Sequence, residues 1–93
     1  MEFQLRQLSS NQFAYEYEQE GERLAEISWI QNGDTMTMNH TVVSDKLRGQ
    51  GVAKQLLDQA ANYAREKGYK MEAVCSYVVG AFQKSNAYDD IKK

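Results

Sequence analysis

One segment constrains the fold more than any other. Val52 to Lys67 is the only long stretch with helical periodicity, entered through two glycines and closed by a third. On a 3.6-residue wheel Val52, Tyr63, Leu56, Ala60, Ala53, Ala64 and Leu57 fall within an arc of about 140°. Lys54, Arg65, Asp58, Asn62, Gln55, Glu66 and Gln59 take the opposite side. Gly68 follows Glu66-Lys67 and supplies a left-handed stop with a cation in the last turn. A helix with one apolar stripe must lie on something flat and apolar, and the segments before it read as strands.

The approach to that helix is Lys46-Leu47-Arg48-Gly49-Gln50-Gly51-Val52-Ala53-Lys54. A helix N-terminus offers unpaired backbone N–H groups and the positive end of the macrodipole. Glycines remove the side chains that would keep a phosphate from those donors. The stretch therefore reads as an anion site, most simply for a phosphate or pyrophosphate, with Lys46, Arg48 and Lys54 around the glycines.

The chain has 93 residues, enough for one domain with one core, and residues 1–93 are expected to form it. The net charge of −2 gives no global field toward nucleic acid or an anionic membrane, so local geometry must hold any anion. One cysteine excludes an internal disulfide and makes a reducing cytoplasm the default. No apolar run approaches membrane-spanning length, and Met1-Glu2-Phe3-Gln4 lacks the basic and apolar regions expected of a secretory signal. One histidine and one cysteine at unrelated positions make no metal-ligand set.

Phe3 to Leu8 alternates and reads as a strand closed by Ser9-Ser10-Asn11. Phe13, Tyr15 and Tyr17 give a second strand with an aromatic face, and Gln19-Glu20-Gly21-Glu22 a turn. Arg23 to Ile30 is a third strand, with Ala25, Ile27 and Trp29 on one face, and Asn32-Gly33 signals a hairpin. Thr35 to Val43 reads as a central strand, with Met36, Met38, His40 and Val42 on one face and Thr37, Asn39, Thr41 and Val43 on the other. Tyr69 to Cys75 is a fifth strand and Ser76 to Asn86 a short helix weakened by Gly80. Tyr88 to Lys93 reads as a loose tail or a fragment of strand. Glu16, Glu18, Glu20 and Glu22 read as a solvated edge and turn.

This order predicts an α/β (α+β) domain: an antiparallel meander, a helical crossover and a fifth strand parallel to the fourth. The glycine loop then lies at the carboxyl ends of two parallel strands, where α/β sheets bind ligands, with His40 and Cys75 approaching the same end. A Walker loop is excluded because Gly-x-x-x-x-Gly-Lys-Ser/Thr is absent. A dinucleotide fingerprint lacks its third glycine, where Lys54 stands; Glu72, about 20 residues on, lies mid-strand.

Arg48-Gly49-Gln50-Gly51-Val52-Ala53 instead matches the Arg/Gln-x-x-Gly-x-Gly/Ala loop of the GNAT (GCN5-related N-acetyltransferase) superfamily. Asn39-His40-Thr41-x-Val43 before the loop and Ala73-Val74-Cys75-Ser76-Tyr77 after the helix also resemble the small single-domain members. The resemblance implies acetyl-coenzyme A as ligand, with its pyrophosphate on the amides of Arg48, Gly49, Gln50, Gly51, Val52, Ala53 and Lys54. It implies a V-shaped gap for pantetheine between Thr41, Val42 and Val43 on one wall and Val74, Cys75 and Ser76 on the other. It also implies that the acceptor-binding elements of the larger enzymes are missing, because only Ser9 to Gln12 joins the first two strands.

Acetyl transfer needs a polarised carbonyl, a neutral nucleophile and a proton for the departing thiolate. Cys75 beside the thioester is the candidate nucleophile, as the small relatives imply, with His40 lowering its pKa or acting as base. A small buried hydrophobe and a hydrogen-bonded ring are the plain alternatives for these two. Tyr77 is a candidate proton donor, or packing. The expected function is acetyl-coenzyme A-dependent transfer to an unidentified amine, small molecule or protein. The alternative is a non-catalytic acyl-coenzyme A-binding or sensing module.

Overall fold

The computed structural model describes residues 1–93. Period-two alternation and turn chemistry build strands β1 (Gln4–Gln7), β2 (Gln12–Gln19), β3 (Glu22–Asn32) and β4 (Thr35–Val43). The β2–β3 turn places Glu20 and Gly21 at φ 53° and 80°, the positive pair of a type I′ hairpin. After β4 come helix α1 (Val52–Lys67), strand β5 (Lys70–Ala73) and helix α2 (Ser76–Lys84). The five strands form one sheet in the order β1-β2-β3-β4-β5, antiparallel throughout except for the β4–β5 pair, which is parallel. This is the expected fold class, and β4 and α1 have the expected bounds. No helix is long and apolar enough to cross a membrane.

Helix α1 lies across one face of the sheet, against β2, β3, β4 and β5. Val52, Leu56, Leu57, Ala60, Ala61 and Ala64 are buried there on Ile27, Trp29, Met36 and Met38. Burying one such leucine contributes roughly 1.5–3 kcal/mol. Of the expected stripe, Ala53 and Tyr63 are only half-buried, and Ala61 joins the core in their place. Tyr63 spreads over Tyr15 and Trp29 at 6.0 and 5.7 Å between ring centroids. Gly68 caps the helix at φ 75°, as its sequence position requires.

Several expectations fail for reasons visible in the register. Ser28 pairs with His40 but Trp29 pairs with Met38, so Asn39 is an extra residue in β4, a β-bulge. One extra residue reverses the alternation that follows it. Met36 and Met38 are fully buried, whereas His40 is exposed and Val42 is 48% exposed. These four residues therefore do not share a face; Thr41 and Val43 continue the core side, and Val43 packs against the core cluster. The strand expected over Tyr69 to Cys75 stops at Ala73, and Cys75 is the residue that caps α2. Glu16 is not a solvated edge residue but is buried, 5% exposed.

The terminal segment is docked, not loose. Arg65 donates to both carboxylate oxygens of Asp90 at 2.7 and 3.1 Å and to the Ala87 carbonyl at 2.8 Å. Tyr88 and Ile91 are buried, and the Lys93 amide donates to the Met71 carbonyl at 2.8 Å. Lys92 forms a lone parallel bridge with Met71, so the strand-fragment reading of the tail holds for this residue.

Candidate functional site

The loop between β4 and α1 is built from local rules. Ser44 accepts the Lys46 amide at 3.2 Å and caps a short 3-10 turn, Asp45–Leu47, whose Leu47 is buried as an anchor. Gly49 and Gly51 follow at φ 81° and 66°, both left-handed. A Cβ on either glycine would meet no atom within 4 Å. Packing does not require these glycines; backbone conformation does, and it leaves the approach to the loop open. The amides of Gly49, Gly51, Val52, Ala53 and Lys54 have no backbone acceptor, because Gly51 starts the helix and Gln55 is the first residue to bond back to it. Several donors thus converge at the positive end of a sixteen-residue helix.

The expected cations are present but engaged. Lys46 Nζ lies 2.8 Å from Glu22, Arg48 Nη2 3.1 Å from Asp45 and Lys54 Nζ 2.8 Å from Asp58. All three side chains are exposed, and such contacts exchange readily with solvent or with an anionic ligand. The hydrogen bond from Lys54 to Asp58 raises the lysine pKa, so its charge is secure.

Beside the loop the two parallel strands part. Thr35 to Met38 pair with Lys70 to Ala73, and the Val74 and Cys75 amides both donate to the Met38 carbonyl at 3.1 and 3.0 Å. Beyond that shared acceptor β5 gives way to α2, and Asn39 to Val43 run on without a partner strand on that side. The Cys75 sulfur lies 3.4 Å from the Thr41 hydroxyl across the opening. Cys75 is a free, half-buried thiol packed against the core cluster.

His40 and Cys75 reach the same end of the sheet but not the same side of it. Successive strand residues point to opposite faces, so His40 and Thr41 diverge, and Thr41 is the one beside Cys75. The expectation that His40 tunes the Cys75 thiol is not met, because the bulge at Asn39 turns the imidazole to the outer face. There it borders a cavity of about 210 Å³ together with Arg23, Glu26, Val42 and Ser44.

The GCN5-related N-acetyl-transferase family model matches residues 12–91. The chain belongs to the GCN5-related N-acetyltransferase family. Among solved structures it is similar to a GCN5-like protein from Staphylococcus aureus, at 34% identity and a TM-score of 0.71. That likeness covers 97% of this chain and 87% of the other. Two larger enzymes share the fold: a ribosomal-protein-alanine N-acetyltransferase from Brucella melitensis, at 20% identity and a TM-score of 0.61, covering 69% of this chain and 47% of that one. The other is an aminoglycoside acetyltransferase from an uncultured soil metagenomic sample, at 14% identity and a TM-score of 0.64, covering 83% and 58%. The chain thus spans about half the length of these enzymes. No curated protein matches it.

Within this family fold a second cavity, about 270 Å³, opens between α1 and α2 and is lined by Lys54, Tyr77, Ala81, Lys84 and Tyr88 among others. Burial, and then the charge of Asp58, push the Tyr77 phenol up, which keeps its proton in place. Asp58, on α1, ties the tail to that helix beside this cavity, accepting Tyr88 Oη at 2.5 Å and Lys54 Nζ at 2.8 Å. Burial alone would raise the Asp58 carboxyl, but the hydrogen bonds from Lys54 and Tyr88 bring it below the usual range. Sequence periodicity could not find Asp58 or Tyr88, since they meet only because the tail folds back. Glu26 was also missed; the hairpin register that sets it opposite Glu16 and Val42 is the signal that finds it.

Proposed function

We propose that the protein transfers the acetyl group of acetyl-coenzyme A to a primary amine. The observation that carries this is the meeting of two open backbone arrays at one place. The unpaired amides of Gly49, Gly51, Val52, Ala53 and Lys54 are arranged for a diphosphate, and the unpartnered run of β4 is arranged for an extended amide chain. The residues fit the group: the glycines leave the loop open, and the strands part beside it. The amides of Gly49, Gly51, Val52, Ala53 and Lys54 hold the diphosphate; those of Arg48 and Gln50, expected to join them, donate instead to the Asp45 and Leu47 carbonyls at 3.1 and 3.3 Å and shape the loop. Thr41, Val42, Val43 and Ser76 flank the pantetheine arm.

Cys75 stands where that arm ends, at the far side of the opening from Thr41. Its sulfur takes the acetyl group: a new C–S bond forms to Cys75, the C–S bond to the donor breaks, and the thiol proton passes to the departing thiolate. The Thr41 hydroxyl, 3.4 Å from the sulfur, holds the thiol in place for that attack. His40 acts on the acceptor and not on the thiol, since it faces away from Cys75.

Calorimetry with acetyl-coenzyme A against ATP and nicotinamide dinucleotides tests the ligand. Mass spectrometry after incubation tests the covalent step, with a gain of about 42 mass units on Cys75 expected and its loss in Cys75→Ala. Binding without turnover of any amine by the native protein would make it a carrier or sensor of the thioester.

A further inference from the structure

We infer that the outer-face cavity between β3 and β4 is the acceptor pocket, and that Glu26 receives the ammonium end of an unbranched primary alkylamine. The inference rests on the acetyl-donor reading above and adds the other substrate to it.

The cavity of about 210 Å³ is smaller than the roughly 300–1,000 Å³ of sites for drug-sized ligands, and suits one alkyl chain. Leu24, Ala25 and Val42 give it apolar walls, and Glu26, His40 and Ser44 polar ones with Arg23 beside Glu26, which suits a methylene chain that ends in a polar head. Glu26 is opposite Val42 and Ser28 is opposite His40, so Glu26 and His40 are diagonal neighbours on one face, about 7–8 Å apart at the backbone.

Charge on this face is unevenly neutralised. Glu16 and Glu26 are directly opposite each other on β2 and β3, an unfavourable pairing of like charges. Glu16 has two cations, Arg6 at 3.3 Å and Arg23 at 3.3 Å. Glu26 has only a share of Arg23, whose Nη1 lies 3.4 Å from Oε1; that buried oxygen has this ion-pair contact but no hydrogen bond. A buried carboxylate oxygen that has one long ion-pair contact and no hydrogen bond is incompletely compensated for its lost hydration. An alkylammonium supplies the missing hydrogen-bond donor and adds positive charge beside the shared Arg23.

Adjacent β4 residues border the two spaces from opposite faces, His40 and Val42 at the cavity and Thr41 at the opening beside Cys75. The bulge at Asn39 is what turns His40 to the cavity while Thr41 stays at the opening. The ammonium gives one proton to His40, and the resulting amine forms the C–N bond to the thioester carbon as the C–S bond breaks. The nitrogen's second proton goes to the departing thiolate, leaving an N-alkylacetamide and a thiol.

The test measures acetyl transfer to n-butylamine and to a lysine peptide with a blocked N-terminus, which separates a free amine from a protein side chain. In Glu26→Gln the KM of whichever amine is used should rise roughly tenfold, with kcat and acetyl-coenzyme A affinity nearly unchanged. Glu18→Gln, an exposed carboxylate on the same face but outside the cavity, should leave that KM unchanged. His40→Asn should lower kcat and spare KM. Without donor, n-butylammonium should shift the amide resonances of His40, Val42 and Ser44 in the native protein and not in Glu26→Gln. An unchanged KM in a folded Glu26→Gln protein overturns the inference, as does acetyl-coenzyme A binding with no turnover of either amine. Failure of the native protein to bind acetyl-coenzyme A overturns the donor reading instead.

Discussion

Thr35 to Met38, the first half of β4, pair with strands on both flanks, and Met36 and Met38 are fully buried beneath α1. Asn39 to Val43, the second half, begin with a bulge, pair only with β3, and have no fully buried side chain. The two halves belong to one nine-residue strand of similar composition, yet one is scaffold and the other is a binding edge. The difference is one inserted residue and the early end of β5. Where a strand keeps both partners, its backbone groups are spent on the sheet; where it loses one, they are free for a ligand.

The largest expected effect falls on the scaffold half. Met38→Ala should cost about 2–5 kcal/mol in urea or thermal unfolding, whereas Val42→Ala, on the exposed side of the open half, should stay within about 0.5 kcal/mol. Equal costs at the two positions would erase the contrast. Next comes the loop: Gly51→Val should weaken acetyl-coenzyme A binding by roughly tenfold or more in calorimetry. Its fold should survive with a strain of about 1–2 kcal/mol, because Gly51 is left-handed but nothing crowds it. A globally unfolded variant would show that the loop is also scaffold.

A smaller effect should appear in hydrogen exchange. Acetyl-coenzyme A is expected to slow amides in Asn39 to Val43 by about tenfold and to leave Thr35 to Met38 unchanged. Uniform protection along β4 would mean that the ligand stabilises the whole fold without occupying the open edge.

The smallest concerns the docked tail. The hydrogen bond from Arg65 holds the Asp90 carboxyl below the ordinary value of 3.8, while burial and the bond to Asp58 push the Tyr88 phenol above its ordinary 10.0. Asp90 contributes fully above 3.8, and its contribution is lost as pH falls through the lowered folded value; Tyr88 contributes fully below 10.0 and loses it as pH rises through the raised one. Amide resonances of Ile91 and Lys93 should therefore hold steady across that window and broaden on either side. Release of the tail near neutral pH would implicate other contacts.

The sequence by itself determined the element order, the bounds of β4 and α1, the left-handed stop at Gly68 and the glycine loop, all of which depend on neighbours a few residues apart. It also carried the family, because the loop motif and its place before the long helix are both local. Tertiary structure alone decided which way His40 faces, that Glu16 is buried opposite Glu26, and that Tyr88 reaches Asp58. Those outcomes depend on a bulge and on pairings between distant segments. Alternation counted along one strand cannot register a residue that the neighbouring strand leaves unpaired.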